Sequence, residues 1–127
     1  MQVTDSRSSP TPATPDALVE RLFNATTAAM DLFSVYLGDR LGYYRALAKD
    51  GPVTSGELAQ RTGTAERYAR EWLEQQAVSN ILECRNPDAD TAERRFRLPD
   101  GYEAVLIDPD SLTAMVPMAR LMAGCVK

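Results

Sequence analysis

The residues of this chain whose spacing could support chemistry are two cysteines and two pairs of aspartates. The aspartate pairs have the spacing of calcium-loop fragments: Asp88 with Asp90, and Asp108 with Asp110. Neither pair continues into the glycine and terminal glutamate that such a loop requires, so we interpret both as turn residues. The chain has 0 histidines, so a serine or cysteine nucleophile would lack a histidine base. Catalytic residues are therefore not predicted.

The cysteines, Cys84 and Cys125, lie far apart and outside any CxxC motif. A structural zinc site needs about four soft ligands, so neither a metal site nor a disulfide is predicted. No stretch is apolar over the roughly 18 residues of a membrane span. The segment from Met1 to Pro15 has no apolar run and is not a signal peptide. The expected location is the cytoplasm.

Length and charge narrow the function classes further. The 127 residues suffice for one domain, and 44% are hydrophobic and 25% charged, as in soluble proteins. Lys and Arg total 14 against 18 Asp and Glu, a net charge of −4. Nucleic-acid binders draw much of their affinity from positive charge, so nucleic acid is not the expected partner.

The elements that position these residues begin after a polar, proline-rich segment, 1–15, which we predict to be a disordered tail. Asp16 is the predicted N-cap of a long helix from Ala17 to Leu41. A further turn follows, from Gly42 to Leu47, so that helices occupy residues 16–47.

The long helix has more apolar surface than one packing partner can cover. Its polar residues form one narrow stripe: Glu20, Asn24, Thr27, Asp31 and Ser34. The first apolar ridge comprises Leu18, Leu22, Ala25, Ala29, Leu32 and Tyr36. The second ridge comprises Val19, Phe23, Met30, Phe33 and Leu37. A surface helix needs one stripe about 100° wide. A fully buried central helix and an intermolecular contact both stay open, and we favour the contact.

Residues 48–107 have the pattern of a winged helix-turn-helix. Thr54 and Glu57 form a capping box that opens a helix from Ser55 to Arg61, and Gly63 ends it. Thr64 is predicted to cap a second helix, from Ala65 to about Ala77. Its predicted inward positions are Tyr68, Ala69, Trp72, Leu73, and Gln76 or Ala77.

A hairpin completes the pattern, with predicted strands from Ile81 to Cys84 and from Arg95 to Leu98. A short helix is expected from Asp100 to Ile107. Residues 108–127 form an apolar connector helix, which we expect Pro117 to kink. The predicted fold class is mostly α, a winged helix-turn-helix with a two-stranded β-hairpin and a long N-terminal dimerisation helix.

Two sets of candidate binding residues follow. The predicted homodimer interface comprises Leu22, Phe23, Ala29, Met30, Phe33, Leu37, Met115, Met118 and Met122. The candidate DNA contacts are Arg67, Arg70, Arg94, Arg95 and Arg97. Two arginines face three glutamates in the would-be recognition helix, a net charge of −1, so we favour a solvated charged surface over DNA contacts.

The aromatic residues Tyr43, Tyr44 and Trp72 could line a small-molecule pocket, although aromatic residues at helical spacing more often form core. A small-molecule ligand therefore stays open as a partner, and nothing in the sequence identifies it.

The sequence resembles a known family over about residues 16–124. The resemblance lies in three segments: LFNATTAAMDLFSVYLGDRLGYYRAL, TSGELAQRTGTAERYAREWL and RRFRLPDGYEAVL. They are similar to the N-terminal winged-helix region of bacterial class I S-adenosylmethionine-dependent methyltransferases, the kind found in actinobacteria and often labelled transcriptional regulators. The order and spacing of the segments carry the resemblance, and no catalytic motif does.

The resemblance implies a part that dimerises through its long first helix and helps to cover a substrate pocket. In that family a Rossmann-like domain binds S-adenosylmethionine through a glycine-rich turn and an acidic residue. No GxG occurs here, and the chain ends at Lys127, where the catalytic domain would start. We therefore expect no cofactor site and no methyl transfer from this chain alone.

The predicted function is the dimerisation and substrate-capping module of such a methyltransferase, truncated or standalone. The alternative is a small winged-helix DNA-binding transcriptional regulator, which predicts salt-sensitive binding to a palindromic site. A decayed reading frame is a third interpretation.

Overall fold

The computed structural model describes residues 13–126, which contain six α-helices and two short strands. The helices are α1 (Pro15–Arg40), α2 (Tyr43–Asp50), α3 (Ser55–Thr62), α4 (Glu66–Val78), α5 (Glu103–Leu106) and α6 (Val116–Gly124). The strands are β1 (Glu83–Cys84) and β2 (Phe96–Arg97), with a 3₁₀ turn, Thr91–Glu93, between them. This mostly helical winged helix-turn-helix confirms the predicted fold class.

Helix α1 begins earlier than predicted, because Thr14 rather than Asp16 is its N-cap. The Thr14 hydroxyl accepts a hydrogen bond from the backbone N–H of Ala17 at 3.2 Å, and Pro15 occupies the first turn. Most of the predicted tail, 1–15, lies outside the described residues. After α1, Gly42 adopts a positive φ of 74°, which allows the sharp turn into α2.

The helix-turn-helix, α3 and α4, is formed largely as its local sequence predicts. Thr54 and Glu57 make both hydrogen bonds of the capping box, and Gly63 ends α3 with a φ of 67°. The N-cap of α4 is Ala65, not Thr64, whose hydroxyl accepts a hydrogen bond from Tyr43 instead. Tyr68 was predicted to point inward but is 67% exposed.

The wing is shorter than predicted, but a third segment joins it. Strands β1 and β2 are antiparallel, with Glu83 opposite Arg97 and Cys84 opposite Phe96. Val53 also bridges Phe96 through two backbone hydrogen bonds of 2.9 Å, a pairing that the sequence analysis missed. This bridge ties the wing to the segment that enters α3.

The C-terminal helix α6 lies along α1, with Val116 and Ala119 buried. Pro117 was expected to kink a longer helix, but it lies in the first turn of α6 and therefore starts the helix. The core consists of the buried side chains Val35, Tyr43, Tyr44, Leu47, Val53, Leu58, Ala59, Ala69, Trp72, Leu73, Leu82, Phe96, Leu98, Leu106, Val116 and Ala119.

Candidate functional site: the exposed apolar face of α1

The N-terminal half of α1 projects from the body of the domain without covering. From residue 13 to residue 30 only Ala17 and Ala29 are even partly covered. The second apolar ridge is the most open, because Phe23 is 71% exposed, Val19 67% and Met30 57%. Large exposed apolar patches are uncommon on monomeric proteins, so this ridge is a candidate interaction surface.

The C-terminal half of α1 is anchored in the body by close packing. Val35 and Gly38 are buried, and Leu32 and Tyr36 lie against the core. A Cβ at Gly38 would collide with the rings of Trp72 and Tyr44, so only glycine permits this approach of α1 to the aromatic core.

Polar contacts fix the rotation of α1 about its own axis. Asp31 accepts hydrogen bonds from Gln75 at 2.9 Å and from Ser79 at 2.7 Å. The indole N–H of Trp72 donates to the carbonyl oxygen of Ser34 at 2.9 Å. The predicted polar stripe therefore faces α4 over this half, and the second apolar ridge is turned outward.

An ion pair between the buried Asp39 and the half-exposed Arg120 joins α1 to α6. Asp39 accepts two hydrogen bonds from the Arg120 guanidinium, at 2.9 and 3.1 Å, and Arg45 lies 3.9 Å from the same carboxylate. The bidentate geometry aligns α6 with α1. On α6, Met118 and Leu121 are exposed.

The predicted interface positions are distributed over α1, α6 and the residue before α6. The exposed ones are Leu22, Phe23, Met30, Leu37, Met115 and Met118. The partly buried ones are Ala29, Phe33 and Met122. None is fully buried, so these side chains are accessible to a second molecule.

Each arginine predicted as a DNA contact lies within 4 Å of a carboxylate. The pairs are Arg67 with Glu71, Arg70 with Glu66, Arg94 with Glu74, Arg95 with Glu57, and Arg97 with Glu83 and Asp100. A phosphate would have to compete with these carboxylates. In addition, α4 is held against α1 through Trp72 and Gln75.

The aspartate pairs and the two cysteines, which the sequence offered as candidates for chemistry, do not form a common site. Asp108 accepts a hydrogen bond from the backbone N–H of Asp110 at 2.9 Å, so this pair forms a turn. Cys84 is partly buried in β1, and Cys125 is exposed after α6. Among residues 13–126, no three acidic, cysteine or histidine side chains cluster as metal ligands would.

The aromatic candidates form core rather than a pocket wall. Trp72 contacts Tyr43 and Tyr44 with ring centroids 4.8 and 5.1 Å apart. Burial raises the pKa of Tyr44, and the nearby Asp31 and Asp39 carboxylates add to this effect. The Tyr44 hydroxyl donates to the side-chain oxygen of Gln76, which is itself buried.

An apolar groove, which we call the α1/α5 groove, opens beside the anchored half of α1. Its volume is about 240 Å³, and it is lined by Leu32, Val35, Ile81, Tyr102, Val105, Leu106 and Met115. Sequence reasoning missed this groove, because its walls come from segments as distant as Leu32 and Met115.

The fold, the groove and the exposed helix define a winged-helix domain with an unpartnered apolar helix. Residues 28–107 match the family described as the Rv2258c-like winged HTH domain, and the chain belongs to that family. No curated protein matches the chain. No helix in residues 13–126 is both long enough and apolar enough to cross a lipid bilayer.

Solved structures, two of them of methyltransferases, contain a similar domain. The mitomycin 7-O-methyltransferase MmcR is 24% identical with a TM-score of 0.64, over 85% of this chain and 30% of that one. Human N-acetylserotonin methyltransferase in complex with SAM is 16% identical, with a TM-score of 0.66 over 89% and 32%. PigF with SAH is 18% identical, with a TM-score of 0.52 over 88% and 29%. The chain thus spans about a third of their length, and these matches show a shared fold.

Proposed function

We propose that this domain forms a homodimer through α1 and serves as the dimerisation and substrate-capping module of an S-adenosylmethionine-dependent methyltransferase. The observation that carries the proposal is the exposed apolar ridge of α1, on a helix whose other half is firmly anchored. Similarity of the fold to the N-terminal part of solved methyltransferases supports the assignment to this class of enzyme.

Burial of the exposed side chains of α1 supplies the driving force for association. Full burial of a leucine, valine, phenylalanine or methionine side chain contributes about 1.5–3 kcal/mol. The side chains of the projecting half that are about half exposed or more are Leu18, Val19, Leu22, Phe23 and Met30. In a two-fold symmetric dimer both copies bury these same side chains, because each copy contributes the same surface to the interface. Burial of these side chains would therefore stabilise the dimer by several kcal/mol for each copy.

We infer that residues 13–126 alone do not form the binding site for the methyl donor, S-adenosylmethionine. Donor binding needs a parallel sheet with a glycine-rich turn into a helix. The sheet of residues 13–126 has two antiparallel strands of two residues each. The glycines with positive φ among the described residues lie before α2, at the end of α3 and before α5: Gly42, Gly63 and Gly101. We therefore assign donor binding and methyl transfer to a separate domain, and substrate covering to this one.

Sedimentation of matched variants tests the dimer. Met30→Asp places a carboxylate on the exposed ridge, where dimer burial would leave it unpaired. Tyr68→Asp makes a comparable change on α4, because Tyr68 is 67% exposed and Met30 57%. We expect Met30→Asp to lower the dimer fraction at least tenfold at micromolar concentration, with an unchanged far-ultraviolet circular dichroism spectrum. Dimers of equal stability in both variants would contradict the proposal.

Calorimetric titration with S-adenosylmethionine tests the assignment of the donor site to another domain. We expect no saturable heat from this chain, and a dissociation constant in the micromolar range would overturn that assignment.

Gel shifts at low salt address the regulator alternative. Specific binding of a duplex, weakened by Arg95→Ala and Arg97→Ala, would favour a DNA-binding function.

A further inference from the structure

The α1/α5 groove shares a wall with a second cavity that is bordered by charged residues. This second cavity, which we call the charged pocket, has a volume of about 70 Å³, and Asp39, Arg45 and Arg120 are among its lining residues. Val105 and Leu106 of α5 line both cavities. The groove and the charged pocket therefore meet along α5.

Two further segments of the chain run from the groove to the charged pocket. On α1, Val35 lines the groove and Asp39 lines the charged pocket. These two residues are one helical turn apart on the same face, about 6 Å along the helix axis. At the start of α6, Met115 lines the groove and the next residue, Val116, lines the charged pocket. The two cavities are therefore successive parts of one depression between α1, α5 and α6.

The charged pocket contains two guanidinium groups for one buried carboxylate. Arg120 donates two hydrogen bonds to Asp39, whereas the Arg45 guanidinium lies 3.9 Å away and donates no hydrogen bond within residues 13–126. The Arg45 side chain is 60% exposed, so its N–H groups can reach an incoming acceptor. Asp108, which also lines the pocket, is exposed and accepts a hydrogen bond from the backbone of Asp110. Arg45 is therefore free to bind a carboxylate, whose two oxygens match the planar guanidinium fork.

The groove has the volume and the lining of a site for a short hydrocarbon chain. An apolar cavity of about 150 Å³ holds benzene, with its six carbon atoms. The groove volume of about 240 Å³ therefore admits a chain of about eight to ten carbons. Its lining consists of aliphatic side chains, one methionine and the half-buried Tyr102, with no charged side chain. Small-molecule sites combine such an apolar wall with a few polar groups that fix the orientation of the ligand.

We propose that the α1/α5 groove and the charged pocket together bind a medium-chain aliphatic carboxylate, with its chain in the groove and its carboxylate at Arg45. The charged pocket has less than half of the volume that benzene needs, so it receives a small head group and no ring. All the lining residues belong to one copy of the chain, so this inference goes beyond the proposed dimer and does not depend on it.

Calorimetric titration with unbranched carboxylates of increasing length tests the match between ligand and site. We expect each added methylene from butanoate to octanoate to lower the dissociation constant about fourfold, because the groove removes it from water. Octan-1-ol has the same chain without the charge and should bind at least tenfold more weakly than octanoate. Equal affinity for these two ligands would overturn the contact with Arg45, and affinity independent of chain length would overturn the seat in the groove.

Matched variants locate the bound octanoate. Arg45→Gln should weaken binding at least tenfold, and Arg67→Gln, at an exposed arginine of α4, should leave it unchanged. Met115→Trp narrows the groove and should weaken binding at least fivefold, whereas Leu112→Trp, at a fully exposed position outside the groove, should not. Asp108→Asn removes a negative charge from the pocket and should strengthen binding about twofold or more. Circular dichroism checks that each variant is folded.

Unchanged octanoate binding in folded Arg45→Gln or folded Met115→Trp would place the ligand on another surface, such as the exposed ridge of α1, and would overturn the proposal. The absence of saturable heat from the folded, unmodified chain with up to about 10 mM octanoate would also overturn it. Neither result bears on the proposed dimer, which sedimentation measures separately.

Discussion

The two halves of α1 belong to one continuous helix but have opposite environments. Over residues 32–40 the helix is fixed by Val35, Gly38 and the Asp39–Arg120 ion pair. Over residues 15–30 it makes scarcely any contact with the rest of the domain. An isolated helical segment of this length is marginally stable in water. The anchored half therefore belongs to the folded body of the domain, and we propose that the projecting half serves association.

The largest expected difference between the halves is in the free energy of unfolding when one valine in each half is replaced by aspartate. Val35→Asp buries an unpaired carboxylate and should cost more than about 4 kcal/mol, because Val35 is 7% exposed. Val19→Asp should leave the folding of the monomer within about 0.5 kcal/mol, because Val19 is 67% exposed. Urea denaturation, at a protein concentration low enough to dissociate the proposed dimer, measures the free energy of unfolding of both variants. Equal destabilisation would contradict the division of α1.

A second pair of variants concerns the close approach of α1 to the aromatic core. Gly38→Ala should destabilise the domain by about 2–3 kcal/mol, because its Cβ collides with the Trp72 and Tyr44 rings. Gly56→Ala in α3 meets open space and should be neutral or stabilising by about 0.5 kcal/mol. Thermal unfolding compares them, and an unchanged midpoint for Gly38→Ala would show that the contact is unimportant.

Loss of the ion pair between α1 and α6 should have a smaller effect. Asp39→Asn removes the charge that Arg120 binds and should cost about 1–2 kcal/mol, since Arg120 is itself half exposed to solvent. Asp88→Asn, at an exposed loop position, serves as the control. Amide hydrogen exchange should show faster exchange in α6 for the first variant alone. If amide exchange in α6 is unchanged in Asp39→Asn, apolar contacts alone are sufficient to keep α6 packed against α1.

The smallest expected effect is a pH dependence from Tyr44. Burial raises its folded-state pKa above the unfolded value of about 10, so its contribution to stability is complete below that pH. Above pH 10 the unfolded state loses the proton first, and the free energy of unfolding should fall by up to about 1.4 kcal/mol per pH unit. Tyr44→Phe should weaken this alkaline dependence in urea titrations at pH 7 and pH 11. Identical slopes would exclude Tyr44 as its source.

Local signals in the sequence predicted much of the winged helix. The capping box of Thr54 and Glu57 and the left-handed Gly63 depend on a few adjacent residues, so they could be identified directly. The excess apolar surface of α1 was also visible, because helical periodicity alone determines its ridges.

Features that depend on tertiary partners could not be predicted in the same way. Periodicity identified the polar stripe that contains Asp31 and Ser34 but not its partners, which are hydrogen-bond donors on α4. Tyr68 falls next to the inward Ala69, and only the packing of α4 shows that it points to solvent. The Val53–Phe96 bridge joins residues too distant for periodicity to relate them.

The central claim is that α1 needs a second copy of this chain. Equilibrium sedimentation of the unmodified protein at micromolar concentration tests it most directly. We expect a mass of twice 14.0 kDa that shifts towards 14.0 kDa on dilution. A single species of 14.0 kDa at every concentration up to about 100 µM, where a Kd of that size corresponds to only ~5.5 kcal/mol, would contradict it.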